Sequence, residues 1–316
     1  MDLPPLILSS DLARLGQDAR GLARQAKSGQ LRRIRQGVYV RAQEWEALPP
    51  WDRYPVLIRA AASTLRSRTV FCRQSSAVLW DMPVLGHRHL VHACTYDGGG
   101  GRSRAGVRRH LVDLGSVRIE ERHGLLVTDR VRTALDLAAF ESFEQGVTVF
   151  DHVLGPRSDN LAPLSRGELD AGIGGNYTAA AARRIRTALQ FADPASGSPG
   201  ESVSRALMHR LGFRIPLLQV EIRDARGLVA FTDFDWPDDQ LCGEFDGLVK
   251  YRNAEYLQGR TPAEALTAEK RREDRIRATG RRVIRWTWSE LANPGSFSAF
   301  LAAAGVPRQP LPACRC

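Results

Sequence analysis

Three acids in the last third of the sequence are spaced for chemistry on a phosphate. Asp233 and Glu244 lie in two strand-like runs, residues 228–236 and 240–245, joined through Pro237-Asp238-Asp239, and Asp246 directly follows the second. Residues two apart on a strand share a face, so Glu244 and Asp246 point the same way. A turn of this length brings Asp233 beside Glu244. Carboxylates crowded in this manner repel one another unless a divalent cation sits between them. Oxygen donors with open positions suit Mg²⁺ or Mn²⁺, which activates water and stabilises charge on a scissile phosphodiester. Asp235 shares a face with Asp233 and competes with it for the ligand role. The alternative for the whole set is ion pairing with the many arginines.

The elements that must position these acids follow from periodicity and capping. Ser198-x-x-Glu201 opens a helix over 199–211, and the same spacing also explains Glu201 as a capping residue without chemistry. A strand over 217–222 and a turn at 224–227 precede the two acid-bearing strands. A charged helix over 262–279 and a strand over 282–286 follow them. On that helix Arg271, Arg272, Arg275 and Arg277 either track DNA phosphates or form a solvated face.

Residues 198–292 resemble the Vsr-like members of the PD-(D/E)XK endonuclease fold. The likeness rests on Glu201, Gln219, Asp233-Phe234-Asp235-Trp236-Pro237, Glu244-Phe245-Asp246-Gly247 and Gly280…Val283-Ile284-Arg285-Trp286. It implies a restriction-endonuclease-like α/β domain with Asp233 and Glu244 as ligands of Mg²⁺ (or Mn²⁺), Asp246 as a third acid and Glu201 as an outer acid from the helix. Asp246 stands where that fold usually carries lysine, and Lys250 is the candidate replacement.

The amino-terminal block reads as helix, helix, hairpin. Ser9 or Ser10 caps a helix over 11–15 that stops at Gly16, and Asp18 caps a second helix whose Leu22, Ala23 and Ala26 recur at helical spacing. Strands over 31–34 and 38–40 turn at Gln36-Gly37. This is the order of a winged helix-turn-helix, and its exposed positions are basic: Arg20, Arg24 and Lys27 on the second helix, and Arg32, Arg33, Arg35 and Arg41 on the wing. A helix in the major groove flanked by guanidinium groups on phosphates requires this arrangement. The alternative is a solvated basic face on a small packing domain.

Leu22…Ser28-Gly29…Leu31…Arg35-Gln36-Gly37-Val38-Tyr39-Val40 resembles the amino-terminal winged helix of AbiEi-type antitoxins of type IV toxin–antitoxin systems. Ser75-Ser76-Ala77-Val78-Leu79-Trp80 and the run from Gly124 through Arg132-Thr133-Ala134-Leu135-Asp136 to Ala138 extend the likeness over about the first half of the chain. It implies a DNA-binding transcriptional repressor paired with a toxin.

Between these regions, His87, His89, His92 and Cys94 invite a zinc reading, but on a strand they split between two faces and read as strand residues. Gly98 to Gly101 with Arg102 and Arg104 read as a basic loop, since the Walker Lys-Ser/Thr is missing. Five scattered cysteines and the lack of a signal-peptide pattern point to a reducing cytoplasm, and Cys314 and Cys316 end a frayed tail.

The 316 residues carry a formal charge of +10 at 43% hydrophobic content, which excludes a largely disordered chain and favours a polyanionic partner, here double-stranded DNA rather than a membrane. The expected order is a multidomain α/β chain: winged helix-turn-helix over 1–47, small α/β middle domain over 48–193, endonuclease-like domain over 198–305 and flexible tail over 306–316. Two functions follow. One is a DNA-binding regulator carrying a Mg²⁺-dependent endonuclease. The other is a non-catalytic regulator whose nuclease fold serves binding or dimerisation.

Overall fold

The computed structural model describes residues 3–16, 18–65, 69–87, 90–95, 106–113, 115, 117–156, 161–247 and 261–309. The chain is a mixed α/β protein that divides into two compact units, residues 1–141 with 165–186, and residues 142–164 with 187–316.

The first unit opens with β1 (Ile7–Leu8), α1 (Ser9–Arg14), α2 (Arg20–Lys27), β2 (Leu31–Arg35) and β3 (Val38–Arg41). The strands form an antiparallel sheet in the order β1-β3-β2. Leu22 of α2 packs with Leu31 and Tyr39, and Ile7, Leu12 and Ala26 close the cluster. The β2–β3 turn needs a left-handed residue, supplied by Gly37 at φ +75°. Helix starts differ from the sequence expectation. Ser9 is the first residue of α1, with Leu8 at the cap position and no side-chain cap. Asp18 Oδ1 accepts the N–H of Arg20 at 2.8 Å from one residue outside the cap of α2.

After α3 (Ala42–Ala47) and α4 (Arg53–Ala62) come β4 (Val70–Phe71), α5 (Arg73–Leu79), β5 (Val91–Thr95), β6 (Val107–Leu111), β7 (Ile119–Arg122), β8 (Leu125–Thr128) and α6 (Arg130–Phe140). These strands form a mixed sheet in the order β6-β5-β4-β8-β7. Asp129 caps α6 by accepting the N–H of Arg132. One turn on, Arg132 and Tyr177 both hold the buried Asp136, at 2.8 and 2.7 Å. Helix α7 (Phe143–Leu154) belongs to the second unit, α8 (Arg166–Ile173) to the first, and α9 (Ala179–Phe191) starts in the first and ends in the second.

The second unit continues with α10 (Pro199–Arg210), β9 (Leu217–Asp224), β10 (Gly227–Trp236), β11 (Leu241–Phe245), α11 (Pro262–Ala278), β12 (Arg282–Trp286), α12 (Trp288–Leu291) and α13 (Pro294–Ala303). Its sheet runs β12-β11-β10-β9, parallel between β11 and β12 and antiparallel elsewhere. Helix α10 covers one face. The indole of Trp286 donates to Ser204 Oγ at 2.7 Å, and a Cβ at Gly200 would lie 1.9 Å from Phe245, so glycine there permits the close approach. Helix α11 covers the other face, where Ile276 packs with Ile222, Ala230 and Cys242. No helix among the described residues is long and apolar enough to cross a membrane.

Candidate functional site

Two charged regions carry the sequence-predicted residues, one in each unit. In the first unit Leu22 and Ala26 turn inward, which leaves Arg20, Arg24 and Lys27 as the outward stripe of α2. Arg32 and Arg33 are exposed on β2. Arg35 is half-buried at the bulge of the hairpin, and desolvation lowers its pKa. Arg24 lies 3.8 Å from Asp18, a solvent-exposed and therefore weak pair. Arg14 and Arg41 pair with Asp11 and Glu44. Arg20, Lys27, Arg32 and Arg33 form no ion pair among the described residues.

The acid-bearing strands of the second unit pair as the sequence requires, with Phe234 opposite Gly243 and Asp235 opposite Cys242. Where that pairing ends, Asp233 Oδ2 accepts the N–H of Phe245 at 2.8 Å. Asp233 and Asp246 both act electrostatically on Glu244, so the three acids converge. Asp235 is apart from them: it is fully buried and paired with Arg281 at 2.6 Å. Burial raises the Asp235 pKa, and the guanidinium partly offsets it.

Arginine fills the centre of this acid cluster. Arg285 is aligned with Glu244 in the parallel β11–β12 register. Its guanidinium lies 2.7 Å from Glu244, 3.4 Å from Asp246 and 3.2 Å from Glu273, and also contacts Glu269. Arg272 of α11 donates to Glu244 Oε2 at 3.2 Å. The 2.7 Å contact lies outside hydrogen-bond geometry, so it is Coulombic in character. Glu244 Oε1 is buried and accepts no hydrogen bond among the described residues. Burial raises the Glu244 pKa, the two arginines pull it back, and Asp233 and Asp246 push it up again. Burial alone would lower the Arg285 pKa, but Glu269 and the other acids drive it upward.

The donor set does not fit a divalent cation in this arrangement. Glu244 Oε2 already faces two guanidiniums, Asp246 faces one, and Asp233 is engaged by a main-chain N–H. Among the described residues no group of three or more His, Cys, Asp or Glu side chains is disposed to hold a metal ion.

The other sequence-predicted residues fall as follows. Ser198 Oγ accepts the Glu201 N–H as the cap of α10, but Glu201 Oε2 accepts the N–H of Gly197 at 2.8 Å rather than that of Ser198, so only half of the expected capping box forms. Gln219 takes φ +50° within β9, a strained value that only a constrained residue keeps. Lys250, His89, the Gly98–Gly101 loop with Arg102 and Arg104, Cys314 and Cys316 lie outside the described residues. β5 begins at Val91, so His87 is not on the strand. His92 is buried and its Nδ1 lies 2.9 Å from His110 Nε2 with the rings stacked. Burial, aided by Arg73 and Arg108, lowers His110 to about 4.

Of the α11 arginines, Arg272, Arg275 and Arg277 are held by Glu244, Asp224 and Glu273 rather than lying free for phosphate. The partners that sequence reasoning missed are Glu269 and Glu273. Their spacing of four on one helix was the available signal.

The fold is thus that of a mixed α/β chain of two units. No protein-family model matches the sequence. No curated protein matches it either. Among solved structures, the crystal structure of the RV2827C protein from Mycobacterium tuberculosis is similar, with a TM-score of 0.38 and 14% identity over 70% of this chain and 84% of that one.

Proposed function

We propose that this protein is a double-stranded-DNA-binding regulator of the antitoxin type, with its DNA contacts on α2 and the β2–β3 hairpin. The observation that carries the reading is the unneutralised basic surface of Arg20, Lys27, Arg32 and Arg33, on a β-α-α-β-β element whose apolar stripe faces inward. Side chains of this kind contact phosphate by replacing condensed counterions, so affinity must fall steeply with salt. A cognate toxin is the second partner that the antitoxin resemblance proposes.

Fluorescence anisotropy on duplex DNA across a salt series tests the reading. Changing Arg20, Lys27 and Arg33 together to Ala should lower the slope of log K against log salt by roughly 2–3. Arg35→Ala should change it less, because that side chain is half-buried. An unchanged slope in the triple variant rules out phosphate contact by this face.

A second reading, metal-dependent hydrolysis of phosphodiesters, is favoured by the convergence of Asp233, Glu244 and Asp246, with Glu244 Oε1 accepting no hydrogen bond among the described residues. It requires Arg285 and Arg272 to leave Glu244. Nicking of supercoiled plasmid in Mg²⁺ or Mn²⁺, abolished by Glu244→Gln, is its test.

A further inference from the structure

We propose that Arg285 occupies the cation position of the carboxylate centre, and that removing it turns the centre into a divalent-cation site. The inference concerns the same centre as the hydrolytic reading and opposes it for the unaltered chain. It does not depend on the DNA-binding reading.

The geometry places one guanidinium among acids from two elements. Glu244 and Asp246 approach from β11 and its end, and Glu269 and Glu273 approach from α11. Asp233 adds its charge from β10. Among the described residues four carboxylates therefore meet three guanidiniums, Arg285 at the centre, Arg272 on Glu244 and Arg277 on Glu273, with Asp233 beside Glu244. A guanidinium suits this position because its planar fork offers five donors in fixed directions and keeps its charge at any working pH.

Without Arg285 the guanidiniums left on these acids, among the described residues, would be the two peripheral ones of Arg272 and Arg277. Carboxylate oxygens from two strands and a helix, mutually repelling and partly desolvated, are hard donors of the kind that Mn²⁺ and Mg²⁺ take. Glu244 Oε1, buried and accepting no hydrogen bond among the described residues, is a carboxylate oxygen left over for a cation. In the unaltered chain a divalent ion would meet Arg285 at ion-pair distance from the acids it needs.

The experiment uses the full chain, with MnCl2 or MgCl2 against EDTA, read by thermal unfolding and calorimetry. The unaltered protein should show no saturable Mn²⁺ binding and no change in Tm. Arg285→Met should unfold at lower temperature in EDTA, and Mn²⁺ at roughly 100 times its Kd should raise that Tm by about 5–10 °C. Adding Glu244→Gln should remove the Mn²⁺ response. Arg272→Met, which leaves the central guanidinium in place, should acquire no response. Mn²⁺ binding by the unaltered chain or by Arg272→Met, lost with Glu244→Gln, overturns the assignment to Arg285 and favours the hydrolytic reading. An Arg285→Met chain that ignores Mn²⁺, whether it folds or stays unfolded in both conditions, also overturns it.

Discussion

Arginine does opposite work in the two units. On α2 and β2 the cations stand in solvent with few acids in reach, and Arg20, Lys27, Arg32 and Arg33 keep their full charge for an external partner. Around β11 and α11 most arginines are answered from within: Arg285 by four carboxylates, Arg272 by Glu244, Arg275 by Asp224, Arg277 by Glu273 and Arg281 by Asp235, while Arg271 is exposed and forms no ion pair among the described residues. A net charge of +10 therefore says little about where a polyanion would bind. What matters is whether the fold has already supplied the counter-charge. A row of arginines on a helix predicts phosphate contact only when its neighbours in space are known to be neutral.

The sharpest way to break the internally answered class is to remove a cation that is fully buried. Arg205 holds both oxygens of Asp151 at 2.9 and 3.0 Å, with side-chain exposures of 4% and 1%. Asp151 also accepts the N–H of Asp193 at 2.7 Å. Arg205→Met leaves that carboxylate buried without its counter-charge and should destabilise the second unit by about 3–5 kcal/mol in denaturant unfolding. An effect below 1 kcal/mol would mean that the carboxylate escapes to water or takes up a proton. Arg20→Met in the exposed class should change stability by less than about 0.5 kcal/mol.

Packing under the acid strand gives the next effect. A Cβ at Gly200 would meet the Phe245 ring at 1.9 Å, so Gly200→Ala must displace the neighbour of Glu244. Overpacking of this kind costs about 1–3 kcal/mol. A displaced ring should also disturb the hydrogen bond from the Phe245 N–H to Asp233, visible as a shifted amide resonance. A variant as stable as the parent, with that resonance unmoved, would show that α10 shifts instead.

Much of this architecture was legible before any coordinates. The expected strands at 31–34 and 38–40 fall within β2 and β3, and the helices expected over 199–211 and 262–279 match α10 and α11 to within a residue. Leu22 with Ala26, and Ser198 with Glu201, are local patterns that do not need the rest of the chain. The two-residue β1 gave no signal, because its identity comes from pairing with β3. The convergence of Asp233 and Glu244 followed from the turn length, yet the choice between Asp233 and Asp235 did not. Both alternate on one face, and only the position of Arg281, 46 residues away, commits Asp235 to a buried pair. Arg285 was visible as part of a strand, but the parallel register that sets it beside Glu244 is a tertiary fact. Sequence spacing located the acids and could not say which cation answers them.

The smallest predicted effect separates two acids of the second unit by the sign of their pH dependence. Asp224 accepts both donors of Arg275, at 2.7 and 2.8 Å, and this hydrogen bonding holds its carboxyl at about 2. A depressed folded pKa means that ionised Asp224 favours the folded state. Its contribution is complete above the ordinary carboxylate value of about 4 and is lost as the pH falls through about 2. Glu244 has the opposite sign: burial raises its folded pKa, so its ionised form opposes folding, and stability from this group grows as the pH falls through the raised value toward the ordinary one. The Tm of Asp224→Asn should therefore lie slightly below that of the parent at neutral pH and converge with it below about pH 2, and salt should shrink the gap because the half-buried pair still reaches solvent. Glu244→Gln should instead differ most from the parent at high pH. Carboxyl-detected NMR titration checks the assignments: an Asp224 midpoint near 4 would show that Arg275 does not hold it in solution, and a Glu244 midpoint below the ordinary glutamate range would show that the guanidiniums of Arg272 and Arg285 outweigh burial.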